Sequence, residues 1–360
     1  MPMRRAWVLL GVVGACAVHA AGQGEGRGEP DLSPEAIRSV TERYRTHGVA
    51  EAPAKTDGSV RIATYNIHDL YDDADDPDLS GRRDDATRAM TPGRRLATGL
   101  ALRAIDADIV ALQEVESSEA LDWYRGSALE GMGYAYAASE DVGHSVGMEQ
   151  AVLSRFPILA TRTWPDLVIG EHPELYRGRP NRYAGQPMTF RRSPLMVEIG
   201  LVDERDESKL GVIPETQRLT LLVVHAKTGE GSEAWRAAEG EALAEIVAEL
   251  RQGRADRRVV VLGDFASPPG EGHLSPLFEA GFGDAFAGLV SADEHDPKTT
   301  ATGLDGARSC LVLLGDGEEA VAPPFVLGTL ATPEGLDQRM VYGLPGFASD
   351  HYPVVCDLAR

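Results

Sequence analysis

Five segments of this chain close an apolar, β-branched run on a residue type that can transfer protons or ligate a cation. Thr64-Tyr65-Asn66-Ile67-His68 ends the first, and Asp108-Ile109-Val110-Ala111-Leu112-Gln113-Glu114-Val115 carries Glu114 to the end of the second. Leu221-Leu222-Val223-Val224-His225 and Val259-Val260-Val261-Leu262-Gly263-Asp264-Phe265 deliver His225 and Asp264, and Ser349-Asp350-His351-Tyr352-Pro353-Val354 adds a last acid and imidazole. Carboxylates beside imidazoles are the groups that general acid–base catalysis and hard-cation binding use. Taken singly each is weak, because an Asp after a strand is more often a helix cap and a lone His more often structural. As an ordered set at strand ends they point to one shared cleft, the place where layered α/β proteins build their sites.

The elements that must position them alternate between short β-branched runs and helical patterns, which predicts an α/β layered fold. Strands are expected at Arg61–Ile67, Ile109–Val115, Ala151–Leu153, Leu195–Leu201, Leu219–His225, Val259–Gly263, Arg339–Tyr342 and Pro353–Leu358. Helices fit Arg94–Ile105 and Ser232–Leu250; the second places Ala237, Leu243, Ile246, Val247 and Leu250 to one side and leaves its glutamates for water. Ahead of this domain, which spans 60–360, residues 21–59 read as a linker. It opens with a Gly, Glu and Pro-rich tether, carries a short helix capped by Ser33, and ends in the polar stretch Ala50 to Ser59.

The ordered set resembles the endonuclease/exonuclease/phosphatase superfamily, the DNase I-like fold of metal-dependent phosphoesterases, with matching motifs from Asn66 to His351. That resemblance implies a four-layered α/β sandwich with two central mixed β-sheets flanked by helices. It also implies site residues. Asn66 would help hold the metal and the reacting phosphate; Glu114 would be the principal Mg²⁺ ligand, with Asp350 beside it; His225, Asp264 and His351 would serve the reaction; and Asp337, in Gly335-Leu336-Asp337-Gln338, would orient His351. The chemistry suits these types. A divalent cation neutralises charge building on phosphorus oxygens, a fixed carboxylate such as Asp264 aims and deprotonates water, and an imidazolium donates hydrogen bonds. Mg²⁺ is the expected ion, with Mn²⁺ or Ca²⁺ as alternatives.

Two positions depart from the family pattern. Ala266 stands two residues after Asp264, where the family usually has asparagine, and Val223 stands two before His225, where many relatives carry asparagine. Losing one oriented polar group typically costs about 2.7–4 kcal/mol in a transition state, which leaves open a slow, compensated or inactive enzyme. Lys227 and Gln217 are possible compensators. Between Arg177 and Arg192 lie five arginines (177, 179, 182, 191 and 192), no acids, and three interleaved aromatics, Tyr176, Tyr183 and Phe190. That strip, including Arg191 and Arg192, is either a site for the anionic substrate or a loop pinned to acids of its own domain. The eight aspartates from Asp69 to Asp85 lack the spacing of a helix-loop-helix calcium site and read as a solvated loop. Gly143-His144-Ser145-Val146-Gly147 mimics a hydrolase nucleophile elbow, but the acidic segment before it and the strand-like Ala151-Val152-Leu153 after it reverse the required strand–helix context.

The 360 residues carry 35 Lys and Arg against 56 Asp and Glu, a formal charge of −21. This argues against wholesale wrapping of nucleic acid or adhesion to anionic lipid, so an anionic partner must be met locally. Arg4 and Arg5 precede an apolar run from Ala6 to Val18, too short to span a bilayer, which reads as a signal peptide over 1–20 cut before Ala21. A lipobox-like Val13-Gly14-Ala15-Cys16, anchoring the chain through Cys16, is the alternative. Cys310 and Cys356 would remain, as a disulfide or as two buried thiols. The expectation is an exported, monomeric phosphoesterase acting on nucleic acid, a phospholipid head group or a small phosphoester. The alternative is a non-catalytic descendant that binds a phosphorylated ligand or a partner protein.

Overall fold

The computed structural model describes residues 33, 47–75, 85, 88–142, 148–202, 213–254, 256–287, 289, 308–329 and 348–360. These residues belong to one compact unit that ends at Arg360. The expected signal peptide with Cys16, the helix after Ser33, the Gly143–Gly147 decoy, the strand Arg339–Tyr342 and Asp337 lie outside the described residues.

Two mixed six-stranded sheets form the centre. The first contains β1 (Ser59–Leu70), β2 (Ile109–Val115), β3 (Tyr136–Ser139), β4 (Glu149–Ser154), β15 (Phe325–Val326) and β16 (Val354–Ala359), in the order β15-β16-β1-β2-β4-β3. The second contains β5 (Ile158–Thr163), β10 (Leu195–Gly200), β11 (Arg218–His225), β12 (Val259–Asp264), β13 (Gly283–Asp284) and β14 (Cys310–Leu314), in the order β13-β14-β12-β11-β10-β5. Parallel pairs β1·β2 and β11·β12 lie at the heart of each sheet. The connections between them carry helices, as parallel neighbours require.

Strand period explains the layering. Val60 and Ile62 of β1, Ile109 and Ala111 of β2, Leu219, Leu221 and Val223 of β11, and Val260 and Leu262 of β12 fill one core between the sheets. The alternate residues Ala63, Tyr65, Val110 and Leu112 face Leu102, Ile105, Leu121 and Tyr124 of two helices, α1 (Pro92–Ile105) and α2 (Ser118–Ala128). On the other flank, Leu222, Val224, Val259 and Val261 pack on Leu243, Ile246, Val247 and Leu250 of α3 (Glu233–Arg251). These faces make the four layers expected of the fold, and each fully buried Leu or Ile contributes about 1.5–3 kcal/mol.

Helix starts are read from their caps. The Thr91 hydroxyl accepts from the Arg94 amide and Pro92 occupies the first turn, which starts α1 two residues earlier than the apolar pattern. In α3, Glu239 is not left to water: it is 2% exposed and accepts from the Lys227 amide. The stretch Ala50 to Ser59, expected as polar linker, is tied to the domain. Lys55 Nζ lies 2.9 Å from Asp108 Oδ1, and the Thr56 amide donates to Asp357. Cys310 and Cys356 are two buried thiols rather than a disulfide. Among the described residues no helix is long and apolar enough to cross a membrane.

Candidate active site

The same two-residue period that builds the inter-sheet core brings the polar set together. Continuing β1 from Val60 and Ile62 through Thr64 puts Asn66 on the inner face. Continuing β11 past Val223 puts His225 there, and continuing β12 past Leu262 puts Asp264 there. β14 runs antiparallel to β12 and sets Cys310 opposite Asp264. The core between the sheets therefore turns from hydrocarbon to polar groups at one end.

Gly263 makes the close approach possible. Its φ of 142° suits glycine, and a Cβ there would collide with the Val224 carbonyl of the neighbouring strand. Glu114 arrives by a different device. The register of β2 slips between Gln113 and Val115 against both neighbours, and Glu114 adopts φ 66°. A bulge in the left-handed region re-aims a side chain at a cost of about 1–3 kcal/mol, and such devices concentrate at functional sites.

The hydrogen bonds then close. Asn66 Nδ2 donates to Glu114 Oε1 at 3.2 Å and to Asp264 Oδ2 at 3.1 Å, linking the first sheet to the second. The Asp69 amide donates to Glu114 Oε2, and the Ala266 amide donates to Asp264 Oδ1 at 2.9 Å. His225 Nε2 lies 3.7 Å from Glu114 Oε1. His351 Nε2 lies 3.6 Å from Asp264 Oδ2 and 3.9 Å from Asp350 Oδ1, and its Nδ1 lies 3.4 Å from the Cys310 sulfur. Ser349 bonds the Asn66 carbonyl at 2.7 Å and accepts from the His351 amide, which fixes the terminal Ser-Asp-His turn against β1. Thus Asn66, Glu114, His225, Asp264, Asp350 and His351 are brought together as expected.

Charge is distributed unevenly over these groups. Burial pushes the Asp264 carboxyl up, but His351, His225 and the bonds from Ala266 and Asn66 outweigh it and hold it below its ordinary range. Asp350 is likewise held down to about 2: burial opposes this, and the His68 hydrogen bond leads the groups that outweigh it. Glu114 is pushed up by burial and then by the Asp69 charge. Burial alone would discharge His351, yet Cys310, Asp264 and Asp350 raise it well above its usual value. Acids on one side and a cationic imidazole on the other are suited to water activation beside a developing anion.

The donor set fits a hard divalent cation. Glu114 and Asp350 both contact His68 Nδ1, at 3.7 and 3.2 Å, and the buried Asp69 Oδ1 beside them has no hydrogen-bond partner. Clustered oxygen donors, one of them orphaned, and a carboxyl raised by burial and then by its neighbour's charge are what a bound cation would satisfy. Glu114 and Asp350, with Asn66, are the residues that would hold it.

His68 and Asp69 were missed as site residues although they end the same strand segment as Asn66. Their positive φ values, 58° and 52°, turn them back toward Glu114, and no sequence pattern encodes that turn. Arg94 was also missed; from α1 it bonds the carbonyls of Ile67 and His68 and secures the turn.

Of the residues expected to meet substrate, Arg192 is half-buried beside the site. It donates to the Ala226 carbonyl at 3.3 Å, and the charges of Glu114, Asp264 and Glu239 act on it. Arg191 faces a separate cavity. Neither is pinned to an acid: among the described residues no carboxylate lies within 4.0 Å of the strip's guanidiniums. Gln217 precedes β11, at the opposite end of the strand from His225, and cannot compensate for Ala266. Val223 packs in the inter-sheet core.

A family model described as the Endonuclease/Exonuclease/phosphatase family matches residues 64–306. Among solved structures, a Bacteroides thetaiotaomicron mannosyl-6-phosphatase superposes with a TM-score of 0.52 at 16% identity, covering 84% of this chain and 100% of that one. D. rerio TDP2 complexed with a single-strand DNA product gives 0.51 at 12% identity, with coverage of 84% and 100%. An endonuclease/exonuclease/phosphatase from Beutenbergia cavernae gives 0.50 at 19%, covering 84% of this chain and 71% of that one. No curated protein matches the chain. These likenesses share the two-sheet architecture found here.

Proposed function

Because this chain belongs to the endonuclease/exonuclease/phosphatase family, we propose that it is an exported, Mg²⁺-dependent phosphoesterase that cleaves a P–O bond by direct attack of water. The observation that carries the reading is the placement of Asp264 between Asn66 and His351, at 3.1 and 3.6 Å. Two hydrogen bonds leave the Asp264 carboxylate one fixed orientation, from which it aims a water at phosphorus and accepts its proton. His351, cationic between three electron-rich partners, donates to the phosphoryl oxygens through Nε2. His225 braces the same phosphate from β11, and Arg192 adds positive charge behind it. A divalent ion held by Glu114, Asp350 and Asn66 would neutralise charge gathering on the phosphorus oxygens. Asp337, proposed to orient His351, completes the set. Export rests on Arg4, Arg5 and the apolar run Ala6 to Val18.

The test is hydrolysis of a panel of DNA, RNA, nucleotides, phospholipid head groups and sugar or inositol phosphates, with and without chelator. Turnover that survives both metal removal and Glu114→Gln would sink the mechanism. A second reading, a phosphate-binding protein without turnover, is favoured by Ala266. Its backbone keeps a left-handed φ of 55° while its side chain offers no hydrogen bond. Ordinary turnover by the natural sequence would dismiss that reading.

A further inference from the structure

A cavity of about 900 Å³ opens between two hairpins and the start of α3. One hairpin pairs β6 (Val168–Glu171) with β9 (Pro187–Thr189), the other β7 (Leu175–Tyr176) with β8 (Arg179–Pro180). Five cations line the cavity, Arg177, Arg179, Arg182, Arg191 and Lys227, against one acid, Glu230. None of the five has a carboxylate within 4.0 Å among the described residues. Many arginines elsewhere are matched, as in Arg61–Asp357 at 2.7 Å, Arg162–Glu249 at 2.7 Å and Arg258–Glu318 at 2.6 Å, and nowhere else among the described residues do five unmatched cations line one cavity. Like charges so close repel one another, and an anion entering the cavity relieves that repulsion.

The rest of the wall is aromatic. The Tyr183 and Trp235 rings flank His172, with centroids 5.7 and 5.0 Å from it, and the indole N–H donates to the Thr189 carbonyl. Arg182 lies 4.5 Å over the Tyr183 ring and Arg177 5.5 Å over that of Tyr176. Tyr183 is 42% exposed, so this aromatic ring, with the Arg182 guanidinium over it, is within reach of a bound molecule. Guanidiniums beside exposed rings recognise phosphate and a π-face together.

The cavity is separate from the reaction centre, but two segments of its wall run directly into it along the chain. Arg191 stands in its wall while the next residue, Arg192, is half-buried within range of the charges of Glu114 and Asp264. Lys227 follows His225 by two residues, and its amide donates to Glu239 Oε2 at 2.9 Å.

We propose that this cavity is the subsite for the far end of the substrate, and that this end carries a further phosphate beside a planar ring, the chemistry of a nucleoside phosphate. This rests on the phosphoesterase reading of the adjoining residues. A volume of about 900 Å³ is within the range of pockets that enclose a small-molecule ligand.

The experiment is calorimetric titration of the full chain, in chelator so that nothing is turned over, with adenosine diphosphate, inorganic pyrophosphate and adenosine. The diphosphate nucleotide is expected to bind at least tenfold more tightly than either half, and more weakly as salt rises. Arg179→Ala with Arg182→Ala, both exposed, should weaken the nucleotide at least tenfold, and Tyr183→Ala should weaken it while leaving pyrophosphate unchanged. Thermal melts establish that each variant is folded; should the double variant unfold, the Tyr183→Ala comparison decides. No nucleotide binding at millimolar concentration, equal binding of nucleotide and pyrophosphate, or unaltered binding in the folded variants would overturn the proposal. Nucleotide binding with no hydrolysis of any ester of the panel in metal would instead sink the phosphoesterase reading, and hydrolysis without nucleotide binding would sink only the subsite.

Discussion

Asn66 Nδ2 lies 3.1 Å from Asp264 Oδ2 and 3.2 Å from Glu114 Oε1, so one amide group from the first sheet separates two carboxylates and bonds a strand of the second. The amide is 1% exposed, and water cannot replace it. Its donor character is therefore what lets two acids approach one another. An isosteric acid at this position would set a third carboxylate among them.

Asn66→Asp tests this directly. Hydrogen bonds to charged groups contribute about 1.5–3 kcal/mol, and losing the donor adds like-charge repulsion. Urea denaturation in chelator should show the variant less stable by at least that amount, with part of the loss recovered in millimolar Mg²⁺. Equal stability of the two proteins in chelator would show that the amide does not hold the acids together.

Asp264→Asn keeps the shape and the hydrogen bond from the Ala266 amide but removes the proton acceptor. General-base contributions of roughly 10²–10⁴-fold set the expected fall in kcat on whichever ester the panel identifies. A fall of less than threefold would remove Asp264 from the role of base.

The strands that carry the chemistry were legible because their inner-face alternation continues unbroken from apolar core to polar end: Val60, Ile62, Thr64, Asn66 on β1, and Val260, Leu262, Asp264 on β12. The bulge that swings Glu114 inward was not, because its type named the residue but only its φ of 66° explains how it reaches Asn66. Likewise the hairpins β6·β9 and β7·β8 are two to four residues long and mostly exposed, so no period marks them. Their arginines and aromatics were visible as a strip, but its cavity needed the third dimension. Helix α2 was missed because it buries only Ala120, Leu121 and Tyr124, too few to show a face.

Ala266 offers a test that separates strain from chemistry. At φ 55° a residue with a Cβ is strained, glycine is free of that strain, and asparagine adopts the region several-fold more often than most. Both Ala266→Gly and Ala266→Asn should raise the melting temperature, by roughly 2–4 °C for each 1 kcal/mol relieved in a domain of this class. Turnover should rise in Ala266→Asn alone, since only its side chain restores a polar group next to Asp264. A matching gain in the glycine variant would assign the effect to the backbone.

Glu239 sets a pH dependence of stability outside the reacting groups. Burial pushes its carboxyl up to about 7, against bonds from the Lys227 and Arg191 amides and the Arg192 and Lys227 charges that pull it down. In the unfolded chain it ionises near 4.5. Between these values the folded state holds a proton that the unfolded state has released, so the contribution is full below about pH 4.5 and is lost as pH rises through 7. The span corresponds to about 3 kcal/mol at most. Glu239→Gln cannot ionise, so its stability relative to the natural protein should improve between pH 5 and pH 8 in paired urea titrations. A difference between the two proteins that stays constant over that interval would mean Glu239 keeps its charge when folded, and the buried carboxylate would then be a counter-ion to Arg192.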